Sequence, residues 1–342
     1  MTRRTLFFLS LTGLAGCRRS SLPRLNIFNW SDYVAPDTIP NFAKEFGVDV
    51  RYSVYESNEE MLAKVFSGNS GWDIVFPSNY FIEPMRANRL LVELDHSRLP
   101  NLASLDARLK APEWDPQLQH SVPYMWGAAG IVYQKSLTPA PTSWADLWDA
   151  RFKGRLTMLD DPADTLGAAL KKVGLSINTH QPEEMRRGQV ELIRQKAIIR
   201  AYLNAEARDQ VVAGDLLAAH LWATTSAQAI EAAPDRLAFA YPTEGFALYA
   251  DNAVILREST RPELAHQFLN YLLRPEVAAA IVNVSRTATA NGAARDLLPQ
   301  ELRENRVLYP DAATLERGEW FAPLPSAAQR LRDRLWTEVK SA

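Results

Sequence analysis

The sequence predicts an α/β protein of two lobes, each a mainly parallel sheet flanked by helices. Strands and helices alternate from Leu25 onward, a second alternating set starts near Gly154, and a long apolar strand comes late, at residues 246–256. Such alternation builds parallel sheets with right-handed crossovers and helices on both faces. With 342 residues, 47% of them apolar, the chain suffices for about two domains. The late strand returning toward the first lobe indicates discontinuous domains joined by a hinge.

The first elements follow from the spacing of apolar residues. Residues 25–28 form a short strand, and apolar residues at helical spacing then predict a helix that stops at Gly47. Residues 48–55 alternate between apolar and polar, a period of two. That period predicts a second strand.

A helix and a third strand come next. Ser57 and Glu60 have the spacing of a capping box ahead of a helix at 61–66. Residues 72–77 predict a buried strand, and Ser78 begins another helix. The order of elements is therefore β-α-β-α-β.

The second half of the chain also shows strands and helices in alternation. Three further strands are predicted, at residues 154–159, 215–222 and 246–256. Three helices follow the last of them, at residues 261–273, from Pro275 onward and near residues 327–339.

Acidic, hydroxyl and aromatic side chains follow or lie within several of these strands. They include a main set of Trp30, Ser31, Asp32, Tyr33, Ser78, Tyr80, Asp161, Asp164, Trp222, Tyr249 and Asp251, and Glu56, Thr224 and Thr225 follow strands in the same way. Because ligands of such sheets bind beyond the carboxyl ends of the strands, these residues are candidates for the wall of one cleft between the lobes. Two plainer interpretations stay open: Trp30 packs in the core beside a satisfied turn, and Asp161 or Asp164 caps a helix.

Charge and motif content exclude several classes of function. The chain carries 38 basic and 40 acidic residues, without the basic excess of a nucleic-acid-binding protein. Its five histidines are scattered, and no metalloprotease, serine-hydrolase, phosphate-loop or dinucleotide motif occurs. The sequence therefore predicts no enzyme, no cofactor and no metal site.

The N-terminus has the layout of an export signal. Residues 1–16 contain a basic start at Arg3 and Arg4, a short apolar stretch and then small residues. Residues 14–17, LAGC, resemble a bacterial lipobox, which implies lipid on Cys17 and attachment to a membrane. Residues 17–24 are a predicted tether. A buried thiol is the alternative for Cys17, and the general and twin-arginine export routes both stay open.

Long segments of the chain resemble the spermidine/putrescine-binding proteins of polyamine ABC transporters. They include NWSDYVAPDT at 29–38, WDIVFPSNYF at 72–81, LDDPADTLGAALKKVG at 159–174 and LYPDAATLERGEW at 308–320. The resemblance runs from about Leu25 to the end. It implies a periplasmic protein that closes on a polyamine like a flytrap and delivers it to permease subunits. It also implies ligand contacts for the main set of candidate cleft residues named above.

Three positions depart from the pattern of that family. Tyr249 stands where the family usually has Trp, Thr287 where it often has Tyr, and Phe321 where the spermidine binders have Gln. Thr287 and Phe321 are therefore weaker candidates for ligand contact. The choice of polyamine stays open.

The expected lobes are residues 25–126 with 250–296, and residues 127–249 with 297–342. Carboxylates neutralise the ammonium groups of a polyamine, and aromatic faces suit both its methylenes and its charges. The main alternative is a binding protein of the same fold for an amino acid, for which Arg286 is a candidate carboxylate ligand, or for ferric ion. A surface adhesin or sensor is a third possibility.

Overall fold

The structure, a computed structural model, describes residues 22–342, so the predicted signal segment and Cys17 lie outside the described residues. The described strands are β1 (Arg24–Trp30), β2 (Asp49–Tyr55), β3 (Ile74–Val75), β4 (Val122–Gln134), β5 (Leu156–Met158), β6 (Ala201–Tyr202), β7 (Ala218–Trp222), β8 (Leu237–Ala240), β9 (Phe246–Ile255), β10 (Ala288–Thr289) and β11 (Gly318–Trp320). The described α-helices are α1 (Thr38–Phe46), α2 (Asn58–Phe66), α3 (Asn79–Ala87), α4 (Pro162–Lys172), α5 (Pro182–Gln195), α6 (Ala207–Ala213), α7 (Ala223–Ala232), α8 (Pro262–Leu272), α9 (Pro275–Ser285), α10 (Gly292–Arg295), α11 (Gln300–Arg303), α12 (Ala312–Leu315) and α13 (Ser326–Ser341).

The strands are hydrogen-bonded in the order β2-β1-β3-β9-β4-β7-β5-β6, with β8 and β10 added to β4 and β11 added to β9. At one end β1 pairs in parallel with β2 and β3, and at the other β5 pairs in parallel with β6 and β7. Between these ends β9 and β4 are antiparallel to their neighbours in this order. The predicted α/β class, with two parallel groups of strands, is confirmed.

Two long strands connect the parallel groups. In β4, residues 122–128 pair with β9, and residues 129–133 pair with β7 on the far side. The expected lobe boundaries at 126/127 and 249/250 fall inside these two strands. The sequence did not predict β4, because Pro123, Gly127 and Gly130 interrupt its run of apolar residues.

Most predicted elements are present, with shifted ends. The strand predicted at 25–28 extends over Arg24–Trp30 and starts inside the predicted tether, whereas the strand predicted at 72–77 shrinks to Ile74–Val75. Gly47 ends α1 with a left-handed φ of 63°, a conformation open to glycine because it has no Cβ. Half of the predicted capping box forms: the Ser57 hydroxyl accepts from the Glu60 N–H at 3.1 Å. The Glu60 carboxylate accepts instead from the Glu56 N–H at 3.3 Å.

The last helix fixes the position of α4. Leu331, Leu335 and Trp336 of α13 belong to one buried cluster with Leu166 and Leu170 of α4. Burial of leucine-sized side chains stabilises such contacts by roughly 1.5–3 kcal/mol each. The N-terminus of α4, which carries Asp161 and Asp164, is thereby held in place. Within residues 22–342, no helix combines the length and the apolar character needed to cross a membrane.

Candidate ligand-binding site

A cavity of about 860 Å³, counted out to its open mouth, lies among the ends of these strands. Its lining includes every residue of the main predicted set: Trp30, Ser31, Asp32, Tyr33, Ser78, Tyr80, Asp161, Asp164, Trp222, Tyr249 and Asp251. Phe321 also lines the cavity, whereas Thr287 does not. Residues far apart in sequence thus share one lining, which runs from Trp30 near the start of the described chain to Phe321 near its end.

One side of the cavity is the Asp251 cluster, formed by Tyr33, Ser78 and Asp251. The Tyr33 hydroxyl donates to one carboxylate oxygen of Asp251 at 2.8 Å, and the Ser78 hydroxyl donates to the other at 2.7 Å. Asn58 orients Ser78, because its amide donates to the Ser78 hydroxyl at 3.0 Å and accepts from the Ser78 N–H at 3.1 Å. Asp251 is 2% exposed. Its carboxylate is therefore fixed in direction by donors from two other elements.

Burial raises the pKa of Asp251 from its ordinary 3.8 to about 6, while the hydrogen bonds from Ser78 and Tyr33 act in the opposite direction. A buried carboxylate without a cation loses its hydration and disfavours ionisation. A cation placed beside Asp251 would stabilise the ionised carboxylate. The cluster therefore has the electrostatic character of a cation-binding position.

The other side is the Asp164 cluster, formed by Asp161, Asp164 and Trp222. Asp161 is the N-cap of α4 and accepts from the N–H groups of Ala163 and Asp164 at 2.8 and 2.9 Å. The Trp222 indole donates to Asp164 Oδ2 at 3.0 Å. Asp164 Oδ1 is buried and has no hydrogen-bond partner among residues 22–342. A buried acceptor without a donor costs roughly 1–3 kcal/mol, so this oxygen suits a ligand N–H group.

The pKa values of both carboxyls in the Asp164 cluster are raised. For Asp164 burial is the main cause and the charge of Asp161 adds to it, which places its pKa well above the ordinary 3.8. For Asp161 burial again dominates, against the lowering effect of the Asp164 backbone N–H. Two like charges close together in a buried place repel each other. A ligand that carries positive charge would relieve this repulsion.

Aromatic rings form the walls between the two clusters. The Trp30 indole N–H donates a hydrogen bond to the Phe76 carbonyl at 2.7 Å, which fixes the ring. The rings of Tyr80 and Phe321 lie 5.1 Å apart. Tyr249 faces Gly127 across the β4–β9 pair, and a Cβ on Gly127 would meet the Tyr249 hydroxyl at 2.5 Å. Gly127 thus leaves the space in which the Tyr249 ring lies.

The departures from the expected family pattern differ in their placement. Phe321 adds an apolar ring to the cavity where an amide was expected. Thr287 is 0% exposed and lies outside the cavity lining, and its hydroxyl has no hydrogen-bond partner in the described part of the chain. Arg286 also lies outside the lining and makes two 2.6 Å hydrogen bonds to the carboxylate of Glu231. Arg286, the candidate ligand for an amino-acid carboxylate, is therefore paired with Glu231 outside the cavity.

Seven lining residues are absent from the main predicted set, namely Glu56, Asn58, Ala205, Arg208, Thr224, Thr225 and Gln228. The sequence placed Glu56, Thr224 and Thr225 at strand ends but did not select them as ligand contacts. Asn58 lies just after β2, as Glu56 does, so its place at the sheet edge was the available signal for a lining residue. The Ser31 hydroxyl donates to the Glu56 carboxylate. Arg208 and Gln228 lie inside α6 and α7, where nothing in the local pattern marks a ligand site. Among the described residues, no group of three or more His, Cys, Asp or Glu side chains is arranged to hold a metal ion.

Acids on two sides, aromatic walls and a position between two parallel-stranded groups define a binding protein of the two-lobed periplasmic type. Residues 38–305 match the family described as bacterial extracellular solute-binding protein, and the chain belongs to this family.

Two relatives are similar to this chain over nearly its whole length. A spermidine/putrescine-binding periplasmic protein of Salmonella typhimurium is 35% identical over 90% of this chain and 89% of its own. A putrescine/cadaverine-binding protein of Pseudomonas aeruginosa is 32% identical over 97% of this chain and 98% of its own. The crystal structure of a spermidine/putrescine ABC transporter substrate-binding protein from Streptococcus pneumoniae superposes with a TM-score of 0.81 at 29% identity, covering 93% of this chain and 99% of that one.

Proposed function

We propose that this protein captures a polyamine of the putrescine/spermidine class between its two lobes and delivers it to the permease subunits of an ABC importer. The names of the similar proteins from Salmonella typhimurium and Pseudomonas aeruginosa support the ligand class. The single observation that carries the proposal is the cavity itself, which has a buried carboxylate cluster on each side and aromatic rings between them.

The two acidic clusters match the two charged ends of a short diamine. In the proposed complex one ammonium lies at Asp251 and the other at Asp164 and Asp161. Asp164 Oδ1, which lacks a donor in the structure, accepts one ammonium N–H. A buried ammonium needs such acceptors, because a charge removed from water without a partner is very costly.

The methylene chain is proposed to lie against the aromatic walls. Trp30, Tyr80, Trp222, Tyr249 and Phe321 all line the cavity. Each ammonium that approaches an aromatic face gains roughly 0.5–2 kcal/mol in addition. The rings therefore favour a flexible organic cation over a small inorganic one, which would leave this apolar surface unfilled.

Closure of the lobes is proposed to follow from charge. The expected lobe boundaries place Asp251 on the first lobe and Asp161 and Asp164 on the second, with β4 and β9 as the connecting strands. Without ligand these carboxylates repel one another, and a bound dication reverses the sign of the interaction. Because the ligand contacts both lobes only when they are shut, it shifts the equilibrium toward the closed form.

Membership of an extracellular solute-binding family supports a place outside the cytoplasm. We propose that residues 1–16 direct export and that lipid on Cys17 then holds the protein at the outer face of the cell membrane, near the permease. Replacing Cys17 by Ser tests this arrangement: the wild type is expected in the membrane fraction and the variant in the soluble extracytoplasmic fraction. We propose no catalytic step for the cavity.

The decisive experiment is a calorimetric titration of the purified protein with putrescine, spermidine and spermine, with arginine and maltose as comparison solutes. The expected result is tight binding of at least one polyamine and none of the comparison solutes. Binding of an amino acid alone would favour the alternative function within the same family. Small-angle scattering should show a smaller radius of gyration at saturation, and an unchanged radius would contradict closure while leaving the ligand class intact.

A further inference from the structure

Arg208 is the only basic residue, within the range that the structure describes, among those lining the cavity. The other charged lining residues are all acids, namely Asp32, Glu56, Asp161, Asp164 and Asp251. A cation in the wall of a site for polycations opposes binding wherever a ligand ammonium approaches it. Its position therefore decides which ligands it affects.

Arg208 is held by a chain of hydrogen bonds. Its Nη1 donates to the Gln228 Oε1 at 2.9 Å, and the Gln228 amide in turn donates to the Ser285 carbonyl at 2.8 Å. Its Nε donates to the Asp209 carboxylate at 3.0 Å. The side chain of Asp209 is 78% exposed, so water screens this ion pair strongly. The guanidinium is thus fixed in direction at the cavity wall, and its exposed partner Asp209 lies outside the lining.

Arg208 stands where the cavity opens outward. Asp32, Arg208 and Gln228 line both the cavity and a second groove, whose remaining lining residues are Glu231, Ala232, Val284 and Arg286. Gln228 comes one helical turn after Thr224 on α7, and that turn leads away from Trp222 at the Asp164 cluster. This opening beside Arg208 is a space into which an arm reaching beyond the two acidic clusters can extend.

The charges of the groove do not favour a further ammonium. Glu231 is already paired with Arg286 through two 2.6 Å hydrogen bonds. Asp32 is exposed to solvent and faces the same opening as Arg208. Asp32 is thus the acid that could attract an additional ammonium, and the fixed guanidinium of Arg208 lines the same opening.

We propose that Arg208 is a specificity-determining residue that makes the site select a linear diamine over a longer polyamine. The inference rests on the proposed function and names the ligand within that class. Putrescine ends at the two acidic clusters, whereas spermidine adds a propylamine arm whose ammonium must pass the Arg208 guanidinium. Two like charges that approach to about 4 Å at a partly screened cavity mouth repel enough to change affinity by about tenfold.

Calorimetric titration of the full exported chain with putrescine and with spermidine tests this proposal in four proteins. They are the wild type, Arg208→Gln, Arg208→Lys and the control Arg186→Gln. Arg186 is paired with Glu183 on the surface of α5 and is absent from the cavity lining, so its replacement removes the same charge elsewhere. Thermal denaturation of each variant checks folding, and the 35% exposed side chain of Arg208 predicts that the fold tolerates the changes.

The wild type should bind putrescine more tightly than spermidine. In Arg208→Gln the affinity for spermidine relative to putrescine should rise about tenfold, while Arg208→Lys and Arg186→Gln should retain the wild-type ratio. A wild type that prefers spermidine, or a ratio unchanged in Arg208→Gln, overturns the inference and leaves the polyamine function in place. No binding of either polyamine by the wild type or by Arg208→Gln overturns the proposed function and the inference together.

Discussion

Asp251 and Asp164 are both buried carboxylates that face the same cavity, but their oxygens are bonded differently. Both oxygens of Asp251 accept hydroxyl donors, from Tyr33 at 2.8 Å and from Ser78 at 2.7 Å. Asp164 has one indole donor at 3.0 Å and one oxygen to which no described residue donates. Asp164 also has a second carboxylate, Asp161, beside it, whereas Asp251 is the only carboxylate of its cluster.

This difference separates two ways of preparing a site for a cation. The Asp251 cluster fixes one charge in direction by hydrogen bonds, so little rearrangement is needed when a ligand arrives. The Asp164 cluster concentrates two repelling charges and leaves an unsatisfied acceptor, so the empty site is destabilised. Removing charge should therefore have different consequences on the two sides.

The largest effect is expected for Asp251→Asn. This change removes the single charge of its cluster and leaves a ligand ammonium without a counter-ion, which costs roughly 3–5 kcal/mol in a buried site. Putrescine affinity measured by calorimetry should fall about 100-fold or more. A loss below about threefold would show that Asp251 is not a ligand contact.

A smaller loss is expected for Asp164→Asn, because Asp161 still supplies one charge to that cluster. Affinity for putrescine should fall about tenfold, while the free energy of unfolding of the empty protein rises by about 1 kcal/mol as the repulsion disappears. Titration and thermal denaturation measure the two quantities. Equal losses for Asp164→Asn and Asp251→Asn, without a gain in stability, would contradict the distinction between the clusters.

The third prediction concerns pH. A dication binds ionised Asp251, whose folded pKa is about 6, so putrescine affinity should fall about tenfold from pH 7 to pH 5 through this group. Asp161 and Asp164, with raised pKa values, act in the same direction. The pH profile of Asp251→Asn serves as the control and should be shallower. Parallel profiles would mean that Asp251 does not titrate on binding.

The same pKa has the opposite consequence for the stability of the empty protein. Since the folded pKa of about 6 lies above the ordinary 3.8, the folded state holds more protons between these values. Asp251 therefore stabilises the fold below about pH 4, and roughly 3 kcal/mol of this contribution is lost as pH rises toward 6. Denaturant unfolding of wild type and Asp251→Asn at both ends of this window isolates the contribution.

The smallest effect is expected for Thr287→Val. Thr287 is fully buried outside the cavity lining, and its hydroxyl has no hydrogen-bond partner within the range that the structure describes. Polyamine affinity should stay within about twofold of wild type, and stability should stay equal or rise by about 1 kcal/mol, because an unsatisfied buried hydroxyl is replaced by a methyl group. A tenfold loss of affinity would place Thr287 in the ligand contacts after all.

The sequence predicted the elements whose signals are local. Helical spacing located α1 and Gly47 marked its end, while the run of apolar residues located β9. Asp161 was open to two interpretations, a helix cap or a cavity residue, and the structure gives it both positions: it caps α4 and lines the cavity. Strand β4 is almost as buried as β9 but was not predicted, because Pro123, Gly127 and Gly130 interrupt its run of apolar residues.

By itself the sequence determined the α/β class and the set of acids and rings at the strand ends. Periodicity, capping and glycine sterics act within a few residues and need no tertiary contact. Only the tertiary structure decided that Tyr33 and Ser78 bond Asp251, that Phe321 packs on Tyr80, and that Arg208 stands at the opening. Side chains so far apart in the chain meet through the order of strands in the sheet, and that order is fixed by the packing of the whole molecule.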